Sequence, residues 1–270
     1  MPIPIIFVDM TLPKPSGEFA WVQESWGAAL RCAPLSAIAP HCFASRDLRL
    51  EGARDVERAG WNALAETVGA GPDGLVRMRQ VHRTDVFEAA AGTQPREVYE
   101  DWPEADIAIS RDPSLALSVR SADCVPILLA DRRTGAVAAV HAGWKGTAAG
   151  AALVAVQALA SRYGSASDDI VAAIGPSIGP CCYEVGRELE QHFAAHPEAP
   201  GWFSHDTRPR LDLWRATCDQ LGRAGIPTDQ IHLCGLCTSD HPAVFHSYRR
   251  DGKKAGRLVA AIRSARDRML

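Results

Sequence analysis

Apolar and polar positions fall in short blocks along this chain, and one pair of blocks is distinctive. Val125 to Ala130 is an apolar run rich in Ile, Leu and Val, and Ala136 to Val140 is a second. Between them Asp131-Arg-Arg-Thr-Gly135 carries turn chemistry, with Gly135 free to take a positive φ. The pattern predicts a β-hairpin. Closing it makes neighbours of its open ends, so Cys124, before the first strand, should lie beside His141, after the second.

The same reading predicts strands over Pro4–Asp9, Ala20–Gln23, His41–Arg46, Leu75–Val81, Ala105–Ser110, Leu115–Val119, Ile170–Ile174, Ile231–Cys234 and Leu258–Ile262. An amphipathic helix is predicted over Val56–Val68, with Trp61, Leu64 and Val68 on one face. A long helix should run from the glycine turn after His141 to about Tyr163, and two more over Arg187–Ala195 and Leu211–Ala224. Gly69–Gly74 and the Gly- and Pro-rich stretch 175–186 read as loops. Strands alternate with helices from end to end, with no repeat or linker. The expected fold is α/β (α+β): residues 1–270 as a single domain, a layered mixed β-sheet with flanking helices.

Composition narrows the function classes. An apolar content of 47% and a charged content of 23% are ordinary for a globular chain. The net charge of −3 lies in no block of like sign, so nothing points to nucleic acid or a membrane surface as partner, and no protein partner is predicted. The N-terminal residues lack a basic region followed by a long apolar run, and no run is long enough to span a bilayer. Eight cysteines are too few for a disulfide scaffold in a chain of this length, so they read as thiols in a reducing cytoplasm.

Candidate chemistry gathers at the open end of the hairpin. His82 ends the strand-like run 75–81 and precedes turn residues. With Cys124 and His141 it would supply two imidazoles and a thiolate, the complement of a catalytic zinc site with an open fourth position. The separations of 42 and 17 residues fit no zinc-finger spacing, so a buried thiol with two strand-end histidines is the competing reading. His41 and Cys42 are adjacent on a strand, face opposite sides and read as structural. The turn containing Lys145 before a helix suits either an anion or a plain turn, and it lacks the triphosphate-loop spacing. The vicinal pair Cys181 and Cys182 reads as packing. Arg249 and Arg250 form either a phosphate or carboxylate clamp, or solvated turn charges.

Five segments in series, Gln80-Val-His82, Ala122-Asp-Cys124, His141-Ala-Gly-Trp-Lys-Gly146, Ile174–Gly186 and Ser247-Tyr-Arg-Arg-Asp-Gly252, resemble the laccase-domain family. That family was long labelled multicopper polyphenol oxidase and is now described as purine nucleoside phosphorylase and adenosine deaminase. The resemblance covers roughly residues 20–262. It implies a Zn2+ site at His82, Cys124 and His141, and purine nucleosides and phosphate as substrates, with phosphorolysis and adenosine deamination as reactions. Chemistry and position then suggest Lys145, Arg249 and Arg250 for phosphate, and Asp123 as proton carrier or ligand orienter.

The N-terminal third departs from the family. Ser45-Arg-Asp-Leu-Arg49 stands where Ser-Leu-Asn-Leu-Gly is usual, and Gly60-Trp61 where an Asn-Arg pair is expected. If those positions line the pocket, Asp47, Arg49 and Trp61 reshape it. Other readings are a zinc hydrolase on amide or peptidoglycan-derived substrates, a polyphenol oxidase (laccase), and a non-catalytic metal-binding protein. The oxidase needs many histidines, commonly in His-X-His pairs, and the nine here include no such pair.

Overall fold

The expected hairpin forms. In a computed structural model of the chain, which describes residues 12–50, 54–90, 92, 102–204 and 206–265, its strands pair antiparallel with Val125 opposite Ala142 and Pro126 opposite His141. The closed end is a polar knot. The Asp131 carboxylate accepts from the backbone N–H groups of Arg133 and Thr134, at 2.7 and 3.0 Å, and from the Thr134 hydroxyl. Gly135 completes the turn at φ +73°.

In chain order the first six strands are β1 (Phe19–Glu24), β2 (Gly27–Cys32), β3 (His41–Ala44), β4 (Leu75–Val76), β5 (Val86–Glu88) and β6 (Ile107–Ser110). Then follow β7 (Ala116–Ser121), β8 (Val125–Asp131), β9 (Val137–Ala142), β10 (Ile170–Ile174), β11 (Ile231–Leu233) and β12 (Leu258–Arg263). The helices are α1 (Ala33–Ser36), α2 (Arg54–Thr67), α3 (Trp144–Ala148), α4 (Ala151–Tyr163), α5 (Leu213–Arg223) and α6 (Tyr248–Asp251). The α/β class holds, with the strands divided between two mixed six-stranded sheets, β1-β2-β3-β12-β7-β4 and β11-β10-β8-β9-β6-β5.

Three apolar cores set the layers. One lies between the sheets, joining Phe43, Leu117, Val119 and Ala260 to Leu128, Val137 and Ala139. A second packs the hairpin's other face, Ile127, Leu129 and Val140, against α4 and α5. The third lays α2 on the outer face of the first sheet through the predicted stripe Trp61, Leu64 and Val68. Complete burial of a side chain such as Leu64 stabilises the fold by about 1.5–3 kcal/mol. Both faces of the hairpin are therefore apolar and buried.

Several elements differ from expectation, each for a local reason. The run 75–81 is a strand only at β4, because the chain beyond it turns to side-chain partners: Gln80 latches onto the Arg120 backbone, and residues 81–83 bind Asp106. The long helix after His141 breaks at Gly150, whose φ of +80° is left-handed, giving α3 and α4. Arg187–Phe193 winds as a 3-10 helix. Strands β2 and β5 were not expected. Pro4–Asp9 lies outside the described residues. No described helix is long and apolar enough to cross a membrane.

His41 and Cys42 are structural. His41 Nε2 accepts from the Cys32 N–H at 2.9 Å and its Nδ1 faces the Ala39 carbonyl at 3.1 Å, while Cys42 packs under α2. Burial lowers the His41 pKa to about 4.

Candidate metal centre and cleft

The site is built on the hairpin's open end. Cys124 precedes β8 and His141 stands on β9 opposite Pro126, so the strand register places thiol and imidazole together. His82 arrives from a separate loop, its ring 4.9 Å from that of His141 and nearly perpendicular to it. The donor atoms of His82, Cys124 and His141 all lie within 4.8 Å of one another.

Asp106, which the sequence reading missed, organises this set. It is fully buried at the head of β6 and accepts hydrogen bonds from three successive backbone N–H groups, those of Val81, His82 and Arg83, at 2.8–3.1 Å. Its Oδ1 also lies 2.7 Å from His141 Nδ1, and its carbonyl accepts from the His141 N–H. One carboxylate thus fixes the loop that carries His82 and turns His141 so that Nε2 faces the thiol. Burial alone would raise the Asp106 pKa, but these donors, His141 first, hold it below the ordinary value. Paired in this way, a histidine ligand has its tautomer and ring orientation set.

Backbone strain and close approach concentrate here. His82 and Asp123, at φ +61° and +88°, are the two non-glycine residues with positive φ among those described. Such conformations persist where surrounding contacts over-determine them. A Cβ on Gly143 would stand 2.8 Å from Cys124 Sγ and 3.3 Å from His82 Cδ2, so only glycine fits against the donors. Burial would push the Cys124 thiol up, yet the neighbouring His141 and His82 bring it down to about 6. Against its own burial, His141 is held up at about 9 by Cys124 and Asp106. Two imidazoles and a thiol poised as thiolate fit a zinc ion, with the second nitrogen of His141 already engaged.

The three donors line a cleft of about 900 Å³. Trp144, Tyr183 and Tyr248 supply aromatic surface, and Arg120, Arg249 and Arg257 supply positive charge. The Arg249 guanidinium sits 5.0 Å from the Tyr183 ring centre and donates to the Glu184 carbonyl.

The remaining candidates separate. Asp123 lines the cleft, but its carboxylate is committed to the Thr238 hydroxyl and the Arg249 N–H, both at 2.6 Å, so it positions Arg249. Lys145 is exposed outside the cleft, its ammonium 5.6 Å from the Trp144 ring. α6 directs Arg250 to the carbonyls of Thr238, Ser239 and Phe245 and to the Asp251 carboxylate. Cys181 and Cys182 do not line the cleft.

The divergent residues lie elsewhere too. Trp61 is in the core under Arg77, and Gly60 is required because a Cβ there would meet the Arg49 carbonyl at 2.0 Å. Asp47 and Arg49 border a second cleft of about 840 Å³ that shares Arg257 with the first. None of Asp47, Arg49, Gly60 and Trp61 lines the first cleft itself, and Arg257 is the residue through which Asp47 and Arg49 border it. A lone Asp heading the apolar run 107–109 was the available signal for Asp106.

The family model described as multi-copper polyphenol oxidoreductase laccase matches residues 45–265. A purine nucleoside phosphorylase of Bacteroides thetaiotaomicron is 34% identical over 215 residues, 76% of this chain and 78% of that protein. A purine nucleoside phosphorylase of Deinococcus radiodurans is 32% identical over 249 residues, 87% of this chain and 93% of that one. The crystal structure of YlmD from Geobacillus stearothermophilus matches with a TM-score of 0.82 at 31% identity, covering 90% of this chain and 98% of that one.

Proposed function

The chain belongs to the multi-copper polyphenol oxidoreductase laccase family, and from that membership we propose that it is a zinc-dependent purine nucleoside phosphorylase that also deaminates adenosine. The observation that carries this reading is the His82, Cys124 and His141 donor set opening on a cleft with aromatic and cationic walls. His82, Cys124 and His141 would hold the zinc, and it would supply Lewis acidity there.

In phosphorolysis, phosphate attacks the ribose C1′ while the purine departs. Arg249 is the residue we assign to the phosphate, because its guanidinium is in the cleft and a fork of N–H donors matches phosphate oxygens. Asp123 holds the Arg249 backbone and so fixes where that charge stands. Trp144 and Tyr183 offer faces on which a purine stacks. Asp106 keeps the His141 imidazole aligned and its Nδ1 proton in place. Lys145 and Arg250 take no part in this assignment. Deamination uses the same cleft but a different atom, water adding to the purine C6 as ammonia leaves, with the glycosidic bond kept. We place residues 1–270 in one functional domain and, with all eight cysteines free, in a reducing cytoplasm.

Adenosine incubated with zinc-loaded protein and separated by chromatography tests this. Adenine is expected only when phosphate is present, inosine with or without it, and neither from Cys124→Ala. Absence of both products from the parent protein overturns the assignment.

A further inference from the structure

Outside the cleft, a second set of donors converges. Cys181, Cys182, Cys237 and Asp240 bring three sulfurs and a carboxylate oxygen within 4.8 Å of one another. We propose that this set is a second, structural metal site, taking a thiophilic divalent ion such as zinc with all four positions filled by the protein.

Packing accounts for Cys32, Cys42 and Cys234, which have no solvent exposure. It accounts for Cys237, which lies in the core beside α4 and α5, but not for Cys181, which is exposed, nor for the convergence of Cys182 on it and on Asp240. Adjacent cysteines on a strand would point apart, but these stand in a turn, with the Cys182 and Tyr183 N–H groups both donating to the Gly179 carbonyl. Both thiols consequently face the same way, onto Asp240, at 3.1 and 3.0 Å. Cys237 joins from the parallel bridge between Ser177 and Cys237, and its sulfur accepts from the Gly179 N–H at 3.2 Å. A backbone donor of that kind supports a thiolate ligand.

The chemistry distinguishes the two centres. Three soft sulfurs with one oxygen select zinc over hard cations, and four protein ligands make a closed site, against three and an open position in the cleft. A tetrahedral ion with Zn–S bonds of about 2.3 Å needs sulfurs roughly 3.8 Å apart, which lies within the 4.8 Å span of the donor atoms. On binding, the three thiol protons pass to solvent as Zn–S bonds form. The ion would pin the turn 177–183 to the segment 237–240. Ile178 and Tyr183 of the first line the cleft, and Thr238 of the second holds Asp123.

The test is zinc stoichiometry on the reduced full chain, stripped with chelator and titrated with zinc alone. Parent protein should take up two equivalents, His82→Ala/Cys124→Ala one, and Cys181→Ser/Cys182→Ser one. Cobalt loaded into His82→Ala/Cys124→Ala should give intense sulfur-to-metal charge transfer, which a site without several thiolates lacks. A single equivalent in the parent, or none in His82→Ala/Cys124→Ala, overturns the inference. So does full retention of two equivalents in Cys181→Ser/Cys182→Ser. If that last variant does not fold, the His82→Ala/Cys124→Ala result decides alone. A protein inactive on nucleosides that binds two equivalents leaves the second site standing, and an active one that binds a single equivalent removes it.

Discussion

Asp106→Asn is the substitution whose consequences the geometry specifies best. The carboxylate accepts from four donors, two on each oxygen: His82 N–H and His141 Nδ1 on Oδ1, Val81 and Arg83 N–H on Oδ2. An amide keeps one acceptor oxygen and sets an NH2 group where the other was. Whichever way it flips, two wholly or partly buried donors face a donor. Leaving a buried partner unsatisfied costs about 1–3 kcal/mol, so the pair costs about 2–6 kcal/mol. At about 2–4 °C per kcal/mol for a chain of this size, Tm should fall by roughly 5–20 °C. Loss of a partner that orients a histidine ligand should also weaken zinc binding about 10–100-fold. Differential scanning calorimetry reads the first effect and competition against a chromogenic chelator the second. Unchanged Tm together with unchanged zinc affinity would refute the view that Asp106 builds the centre.

Gly143→Ala should abolish or sharply weaken zinc binding while the fold survives, because the new Cβ meets Cys124 Sγ at 2.8 Å; metal analysis and circular dichroism check the two halves. His41 stays neutral in the folded chain down to about pH 4, whereas the unfolded chain takes up its proton below about 6.5, so this residue costs stability progressively as pH falls through that window. The loss amounts to about 3 kcal/mol, and denaturant midpoints of His41→Gln should be flatter between those pH values than those of the parent. Arg249→Ala should raise KM for phosphate on the order of tenfold with little change in Tm, as expected for one lost charge-assisted contact. Arg250→Ala should do the reverse, lowering Tm because three carbonyls lose their donor, with KM for phosphate kept.

The elements legible in the sequence are those whose evidence is local. The hairpin shows in its two apolar runs and its turn, and it brings Cys124 and His141 together without any further knowledge of the fold. The α2 stripe is equally local. His82 was placed correctly beside them but for an incomplete reason, since a loop gripped by Asp106 delivers it and no strand end does. Asp106 escaped because its partners are backbone N–H groups from 23 to 25 residues upstream, which no residue pattern displays. Arg249 and Arg250 looked equivalent until one turn of α6 sent their guanidinium groups to different places. The thiol cluster was hidden because Cys237 and Asp240 come from a segment far from Cys181 and Cys182 in sequence, and only sheet topology joins them.

The hairpin's two buried faces carry a consequence for accuracy at a distance. A strand with one wet face has its register enforced by polarity, since a slip of one residue would drown its apolar side. β8 and β9 have no wet face, so a slip merely exchanges one dry environment for another, and polarity cannot veto it. The register is set instead by the turn, through the Asp131 carboxylate and the left-handed Gly135, together with the ladders that tie β8 to β10 and β9 to β6. The separation of Cys124 from His141 is thus gauged in part at the opposite end of the ribbon, by residues that never meet the metal donors, while Asp106 fixes His141 at the near end.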